Sequence, residues 1–487
     1  MRGVFKTLLI REIQGAIIDF RFWVVLALCV SIIPLSFYVS VKNYSQQLSD
    51  YQQEVQSYRD RTGSVSFNMT AEGVRPPSPL SIFSQGLGNK IPYKVKTSRT
   101  GDYKIEYAQP DSKQDLSGNI DFAFIVSFVL SILAVVFTFS CISGDKESGV
   151  LKLIFSNPVM RRKLLMAKLI GNYIVFLAPF IVSLLMALLI VYVSGIIPIF
   201  SKELLLPVLI MFGLSLLFLL AMFNLGLWIS ALTRNSILSI NVLLLVWIVL
   251  GLVIPKLSPI ISAVIYPVES SGVIEAKKTL FRLDVEKEQR KEESDLYENL
   301  RAQIYPESSG VASGSGMGEG WTNLNNAFDE QVKPVREKYE QQITSEVERI
   351  TNDYIMRSNK QNNLVKRLSL LSPVNSINKL LAEFSATGNS EVEYFTQQAI
   401  QFQSFVKQEV YDKFEYKIYH TKGGSTSYVE YLGGETGDIP VPMFDNYRHV
   451  SLTKVFQQNW VDIALLGFYC LLFFVCGFVS FLRFDVR

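Results

Sequence analysis

Apolar and polar residues fall into long separate blocks along this chain. Six blocks are apolar over about 20 residues or more, the length of helix that crosses a hydrocarbon core of ~30 Å. They cover 22–42, 120–142, 164–194, 204–232, 236–254 and 460–483, and each predicts a membrane-spanning helix. The third and fourth exceed the minimum, which allows tilt or extension past the bilayer. Ahead of the first, Val4, Phe5, Leu8, Leu9, Ile13, Ile17 and Ile18 interleave with Arg2, Lys6, Arg11, Glu12, Asp19 and Arg21. That pattern over 1–21 predicts an amphipathic helix lying at the membrane surface and lacks the layout of a cleavable signal. A short tail, 484–487, follows the last span.

Two long polar insertions separate the spans, at 43–119 and 255–459. In the first, Tyr44, Leu48, Tyr51, Val55 and Tyr58 recur at four and three residues, predicting a helix that continues out of the first span. Tyr93 to Tyr107 alternates around a turn at Thr100–Asp102 and predicts a β-hairpin. The second insertion predicts a charged helix over 285–305, a flexible Gly/Ser tip over 308–320 and a long helix with its apolar stripe from Leu324 to Tyr354. Pro334 should kink that helix or mark its start. A third helix is expected over 392–414, followed by turn-rich, strand-like pieces over 420–442. The charged helices are either solvated surface or packed on each other, on the first insertion or on a second subunit. The fold class expected is an α-helical polytopic membrane protein with a mainly helical α+β domain formed by the two insertions.

Charge adds orientation. The net charge is +3 over 487 residues, 49% of them hydrophobic, so position matters more than the sum. Lys and Arg crowd the N-terminus, the 143–168 loop, the turn at Arg234 and the tail, whereas the 195–203 loop holds only Lys202. Basic residues in short loops mark the cytoplasmic side, which puts both termini there and both insertions outside. The four cysteines, Cys29, Cys141, Cys470 and Cys476, all lie in apolar blocks, so neither a disulfide framework nor a Cys metal cluster is expected in the insertions. His420 and His449 have no ligand-like spacing.

The segment 143–163, with its continuation to Gly171, carries the most specific pattern. It reads SGDKESGVLKLIFSNPVMRRKLLMAKLIG, with Asp145, Lys146, Glu147, Gly149, Leu151, Pro158, Arg161, Arg162 and Lys168 as candidate functional residues. An acidic residue and a Gly ahead of an apolar run, then a Pro turn, a basic cluster and Lys-X-X-Gly, resemble the signature of ABC-2-type transporter permeases. The resemblance covers the membrane part and implies a type V exporter-like arrangement, in which this region is a coupling helix seated on a cytoplasmic ATPase. Asp145, Lys146, Glu147 and Lys152 are then expected to make exposed contacts with that partner, and Val150, Leu151, Ile154 and Phe155 to anchor the helix. The elements at 76–87 and 371–389 and the terminal FLRFDVR look like a bacterial branch with two large periplasmic insertions. Without the resemblance, the segment reads as an ordinary basic cytoplasmic loop.

No phosphate loop, H-E-x-x-H or G-x-S-x-G occurs, so no catalytic site, bound cofactor or metal is expected in this chain. ATP and Mg would sit on the partner. Ser127, Ser131, Asn224 and Asn241 are the polar groups within spans, suited either to gluing helices together or to lining a cavity. No acid or base sits mid-span, which argues against ion-coupled transport. The expected partners are two copies of an ABC ATPase, a second permease subunit (identical or not), membrane lipids and a periplasmic protein, with no nucleic acid. Three functions remain: export or extraction of an amphipathic, peptide- or lipid-like substrate; mechanotransmission to a periplasmic partner; or a membrane scaffold or sensor.

Overall fold

In hydrocarbon every backbone polar group must find an internal partner, and a helix provides that within one segment. The computed structural model describes residues 2–61, 71–88, 91–97, 103–107, 120–156, 159–304, 317–409, 415–420, 427–433 and 447–483. Six of its helical runs are long and apolar enough to span a membrane: Phe20–Asp60, Phe122–Glu147, Arg161–Ser194, Lys202–Leu232, Ser236–Ile265 and Leu452–Arg483.

In chain order, α1 is Arg2–Ile18 and α2 Phe20–Arg61. Strands β1 (Ala71–Val74), β2 (Pro92–Thr97) and β3 (Tyr103–Tyr107) follow, with a 3-10 turn at Pro79–Ile82. The second span joins α3 (Phe122–Phe124), a π segment (Ile125–Leu130) and α4 (Ser131–Thr138), and leads into two short helices, α5 (Ser143–Glu147) and α6 (Val150–Phe155). Next come α7 (Arg161–Ser194), α8 (Lys202–Leu232), α9 (Ser236–Ile248), a π segment (Val249–Val253) and α10 (Ile254–Ile265). The second insertion holds α11 (Ser271–Ile304), α12 (Met317–Ser369), α13 (Pro373–Phe384), α14 (Asn389–Glu409), β4 (Glu415–His420) and β5 (Ser427–Gly433) before α15 (Leu452–Arg483).

Local chemistry marks several starts. Asp121 caps α3 by accepting from the Phe124 N–H, Ser201 caps α8 from Leu204, and Asn235 caps α9 from Leu238. Ser372 caps α13, with Pro373 at the first helical position, where a missing N–H costs nothing.

The chain divides into two compact units, 1–255 with 370–487, and 256–369. In the first, α2 runs 42 residues without a break, as its tyrosine stripe predicts, and its far end meets the sheet. Tyr58 accepts from the Glu72 N–H, and Lys94 sits between Glu54 and Glu72 at 2.7 Å each. The expected hairpin is the β2–β3 pair, and β1 adds an antiparallel third strand with Gly73 opposite Val95. Ala-Glu-Gly-Val has poor strand propensity, so tertiary pairing and not pattern makes β1 a strand. Val95 and Ala71 pack on Phe395, Ala399, Phe402 and Val406 of α14.

Helix α13 is the largest departure from the pattern reading. The segment from 370 on belongs with the spans, not with the rest of the second insertion. Val374, Ile377, Leu380 and Leu381 are fully buried against α8, α15 and both π segments, at the end of the bundle opposite α5 and α6. Beside it, Phe37, Phe83, Phe122, Phe180 and Phe212 from five segments form a ring cluster with centroids 5.1–6.3 Å apart.

The second unit is an antiparallel hairpin of α11 on α12. Both helices are longer than the charge pattern predicts, and Pro334 lies inside α12 instead of starting it. Contacts on both sides hold the helix through the proline: Tyr297 meets Phe328 edge-on at 5.5 Å, and Arg336 pairs with Glu293 at 3.0 Å. Glu292 accepts from Tyr339 at 2.6 Å, which holds the phenol up at a pKa of about 12. Glu292 and Glu293 thus join the two helices. The Thr100–Asp102 turn, Pro158, residues 308–316 of the tip, 421–426 and 434–446, and the 484–487 tail lie outside the described residues.

Candidate functional site

Helices α5 and α6 form an elbow where the second span ends. The break between them is at Gly149, whose φ of 72° and ψ of −1° are left-handed. A side chain there would bring its Cβ against the carbonyl, so glycine is what permits the turn. Leu151 and Ile154 face inward, buried, whereas Lys152 and Leu153 point out, Leu153 at 69% exposure.

Charges on α5 match the helix ends around it. The Lys146 ammonium donates to the carbonyls of Ala231 and Thr233, at 2.9 Å for the latter, at the C-terminus of α8. Glu147 accepts from the Ser236 N–H at 3.0 Å, at the N-terminus of α9. A cation at the negative end of one helix dipole and an anion at the positive end of the next both stabilise. Ser230 anchors the approach, accepting from the N–H groups of Ile142 and Ser143 at 3.0 Å.

On its other side the elbow is ionic. Asp145 lies 2.7 Å from Lys168 on α7, and Lys168 lies 3.2 Å from Glu12 on α1. The Lys168 side chain is only 5% exposed. An unpaired charge there would be costly, and two carboxylates satisfy it. Gly171, one turn on, lets α1 approach: a Cβ there would sit 3.0 Å from the Glu12 Cβ. The Lys-X-X-Gly spacing thus has a physical meaning, since its lysine takes the acid of α1 and its glycine admits the helix carrying it. Further along, Arg161 donates to the Leu482 carbonyl at 2.7 Å and covers Phe155, whose ring lies 6.2 Å from Phe481. The elbow is therefore tied to α1, α7, α8, α9 and α15.

This corrects one expectation. Asp145, Lys146 and Lys168 were expected among the contacts to a partner, yet they bind this chain's own helices, and Glu147 is engaged at α9. The outward face instead carries Lys152, Leu153, Met160 and Arg162, all exposed. Pro158 lies outside the described residues. Lys168 also sits inside α7, so that span does hold a base near its start.

The span polar residues do not converge. Ser131 accepts from Trp247 Nε1 at 2.9 Å and donates to the Ser127 carbonyl, joining α4 to α9. Ser127 bonds its own helix at Phe124. Asn224 donates to the Cys470 carbonyl at 3.2 Å between α8 and α15, and Asn241 is exposed on α9.

Sequence reasoning passed over two sets of residues. Glu12 is the only acid among the first 18 residues of a basic helix, a signal that it faces an internal cation. At the opposite end, Glu391 is buried and gathers the Tyr447 hydroxyl and His449 Nδ1 at 2.8 Å, the Val450 N–H at 3.2 Å and Arg75 at 3.5 Å. Burial pushes its pKa up, but His449, Arg75 and Tyr447 outweigh burial and hold it below the ordinary carboxylate value. His449, isolated in sequence, is thus part of a tether. Among the described residues, no group of three or more His, Cys, Asp or Glu is arranged to hold a metal.

A family model described as "ABC-2 family transporter protein" matches residues 7–486. No curated protein matches the chain. With nearly the whole length covered, the chain belongs to the ABC-2 transporter family, as a membrane subunit of the permease type.

Proposed function

We propose that this ABC-2 permease couples ATP hydrolysis by a separate nucleotide-binding protein to export or extraction of an amphipathic, lipid- or peptide-like molecule. It works as a dimer of membrane subunits with two ATPase copies, which carry the ATP and Mg, in a bacterial cytoplasmic membrane. Both termini and the α5–α6 elbow face the cytoplasm, and the sheet, α14 and the α11–α12 hairpin lie outside. The elbow carries this reading. Its inner charges lock onto five helices, so a push on its exposed face of Lys152, Leu153 and Arg162 reaches four of the six spans and α1 together. The test is co-purification of the permease with its ATPase after Lys152→Glu and Leu153→Asp. Loss of the ATPase from a permease that folds normally supports the reading, and full retention in the double variant sinks it.

A second reading is mechanotransmission to a periplasmic partner, favoured by α2. That helix starts beside the elbow, where Arg21 donates to Ser140 at 2.6 Å, and ends against the sheet at Lys94. At 1.5 Å per residue its 42 residues make a strut of about 60 Å. In vesicles holding the complex, ATP-dependent protease protection of the outer segments without movement of any labelled lipid or peptide would favour this reading over transport.

A further inference from the structure

Between α7, α8 and α15 lies a crevice with about 200 Å³ of empty space, open on one side. Leu165, Leu169, Leu227, Phe474 and Phe478 line it, with one polar side chain, Asn224. That residue is only 3% exposed. Its amide orientation follows from its neighbour, because the Cys470 carbonyl can only accept, so Nδ2 must face it. Oδ1 is the atom left over, and it has no hydrogen-bond partner. A buried, unpaired amide oxygen among apolar side chains is costly, and a donor arriving from outside removes the cost. The helix faces flanking the crevice are apolar and exposed, with Ile174 on α7 and Leu471 and Val475 on α15, so the medium that supplies a guest is the bilayer.

We propose that this crevice binds a chain-like amphipath that carries one hydrogen-bond donor, a hydroxyl or an amide N–H. The donor meets Asn224 Oδ1, and the chain lies along Leu165, Leu169 and Phe478. Water alone satisfies the oxygen but leaves the apolar walls without a partner. The site is held by three spans of one subunit and needs no ATPase, so its test is independent of the coupling reading.

The experiment uses the full chain in phosphatidylcholine nanodiscs and two probes, hexadecanol with a mid-chain diazirine and the methyl ether of the same molecule. The alcohol should label peptides around Leu165, Leu169 and Phe478 about tenfold more than the ether, the ratio expected for one buried hydrogen bond. Asn224→Leu should erase that difference, and Leu169→Trp should suppress labelling by both. Equal labelling of the unsubstituted chain by both probes overturns the proposal, and needs no variant to fold. Absence of labelling at these residues also overturns it and leaves a single water as the occupant.

Discussion

The two ends of the span bundle are fastened by different physics. At the elbow, the fastenings are charges placed on helix ends and on neighbouring helices: Lys146 on α8, Glu147 on α9, Arg161 on α15, and Asp145 with Glu12 around Lys168. At the opposite end, segments some 300 residues apart meet through backbone and hydroxyl groups. Ser78 donates to the Ser385 carbonyl at 2.8 Å, Thr387 to the Ser84 carbonyl at 2.9 Å, and the Leu87 N–H to the Thr387 carbonyl at 3.0 Å. Asp121 adds a bond from the Gln85 N–H, and Lys379 of α13 pairs with Asp462 of α15 at 2.6 Å. Ionic fastenings reach over a longer range and tolerate small shifts, so the elbow can move as a unit with its helices. A seam of short hydrogen bonds around a buried helix either holds or opens, because packed interfaces tend to be bistable. The comparison assigns the elbow to receiving motion and the α13 end to responding in steps.

The strongest way to break the comparison is at Lys168. Removing it as Lys168→Met leaves the Glu12 and Asp145 carboxylates facing each other without their cation. A loss of about 3–5 kcal/mol is expected in denaturant unfolding of the detergent-solubilised protein. Adding Glu12→Gln and Asp145→Asn should recover most of it. If the single variant is as stable as the parent, the ionic account of the elbow fails.

At the other end, Glu391→Gln should cost about 1–3 kcal/mol at neutral pH, since it weakens bonds to Tyr447, His449 and Arg75. Its pH dependence has a definite sign. The Glu391 pKa is lowered in the folded state from its ordinary value of 4.5. Its contribution is therefore full above that value and fades as pH falls through the lowered folded pKa. The gap between parent and variant unfolding curves should stay constant from neutral pH to about 4.5 and close below it. A gap that widens on acidification contradicts the assignment.

A smaller effect is expected at the hinge of the elbow. Gly149→Ala forces a Cβ into left-handed backbone and should cost about 1–2 kcal/mol. Unfolding would show it, and limited proteolysis near 149 should quicken while cleavage at the α13 end stays unchanged. Parallel changes at both ends would blur the distinction drawn above. Smallest for stability are the outward substitutions Lys152→Glu and Leu153→Asp, expected within about 0.5 kcal/mol of the parent. Their effect belongs to the partner, as a fall of about tenfold in recovered ATPase.

Legibility in the sequence followed the range of the interactions. The spans, the extension of α2, the β2–β3 pair and the apolar stripes of α12 and α14 rest on periodicities within one segment, and all appear where the pattern places them. The elbow segment was recognisable because its Gly, basic cluster and Lys-X-X-Gly are close in sequence. The direction of its charges was not, since Asp145 and Lys146 point inward only because Lys168 and the α8 carbonyls stand nearby. Strand β1 and the burial of α13 were hidden for the same reason: Ala71–Val74 and Pro373–Phe384 take their environments from strands and helices remote in the chain.

The sequence by itself determined six membrane spans, two large insertions, the basic segment between the second and third spans, and the ABC-2 resemblance. Length of apolar run and local charge suffice for these, because the bilayer imposes one length and one side on every segment. Only the tertiary structure decided which charges of the elbow are committed inside, which face outward, and that α13 joins the bundle. Those outcomes depend on how a buried charge or an apolar face is satisfied by groups far away in the chain, and no local pattern records that.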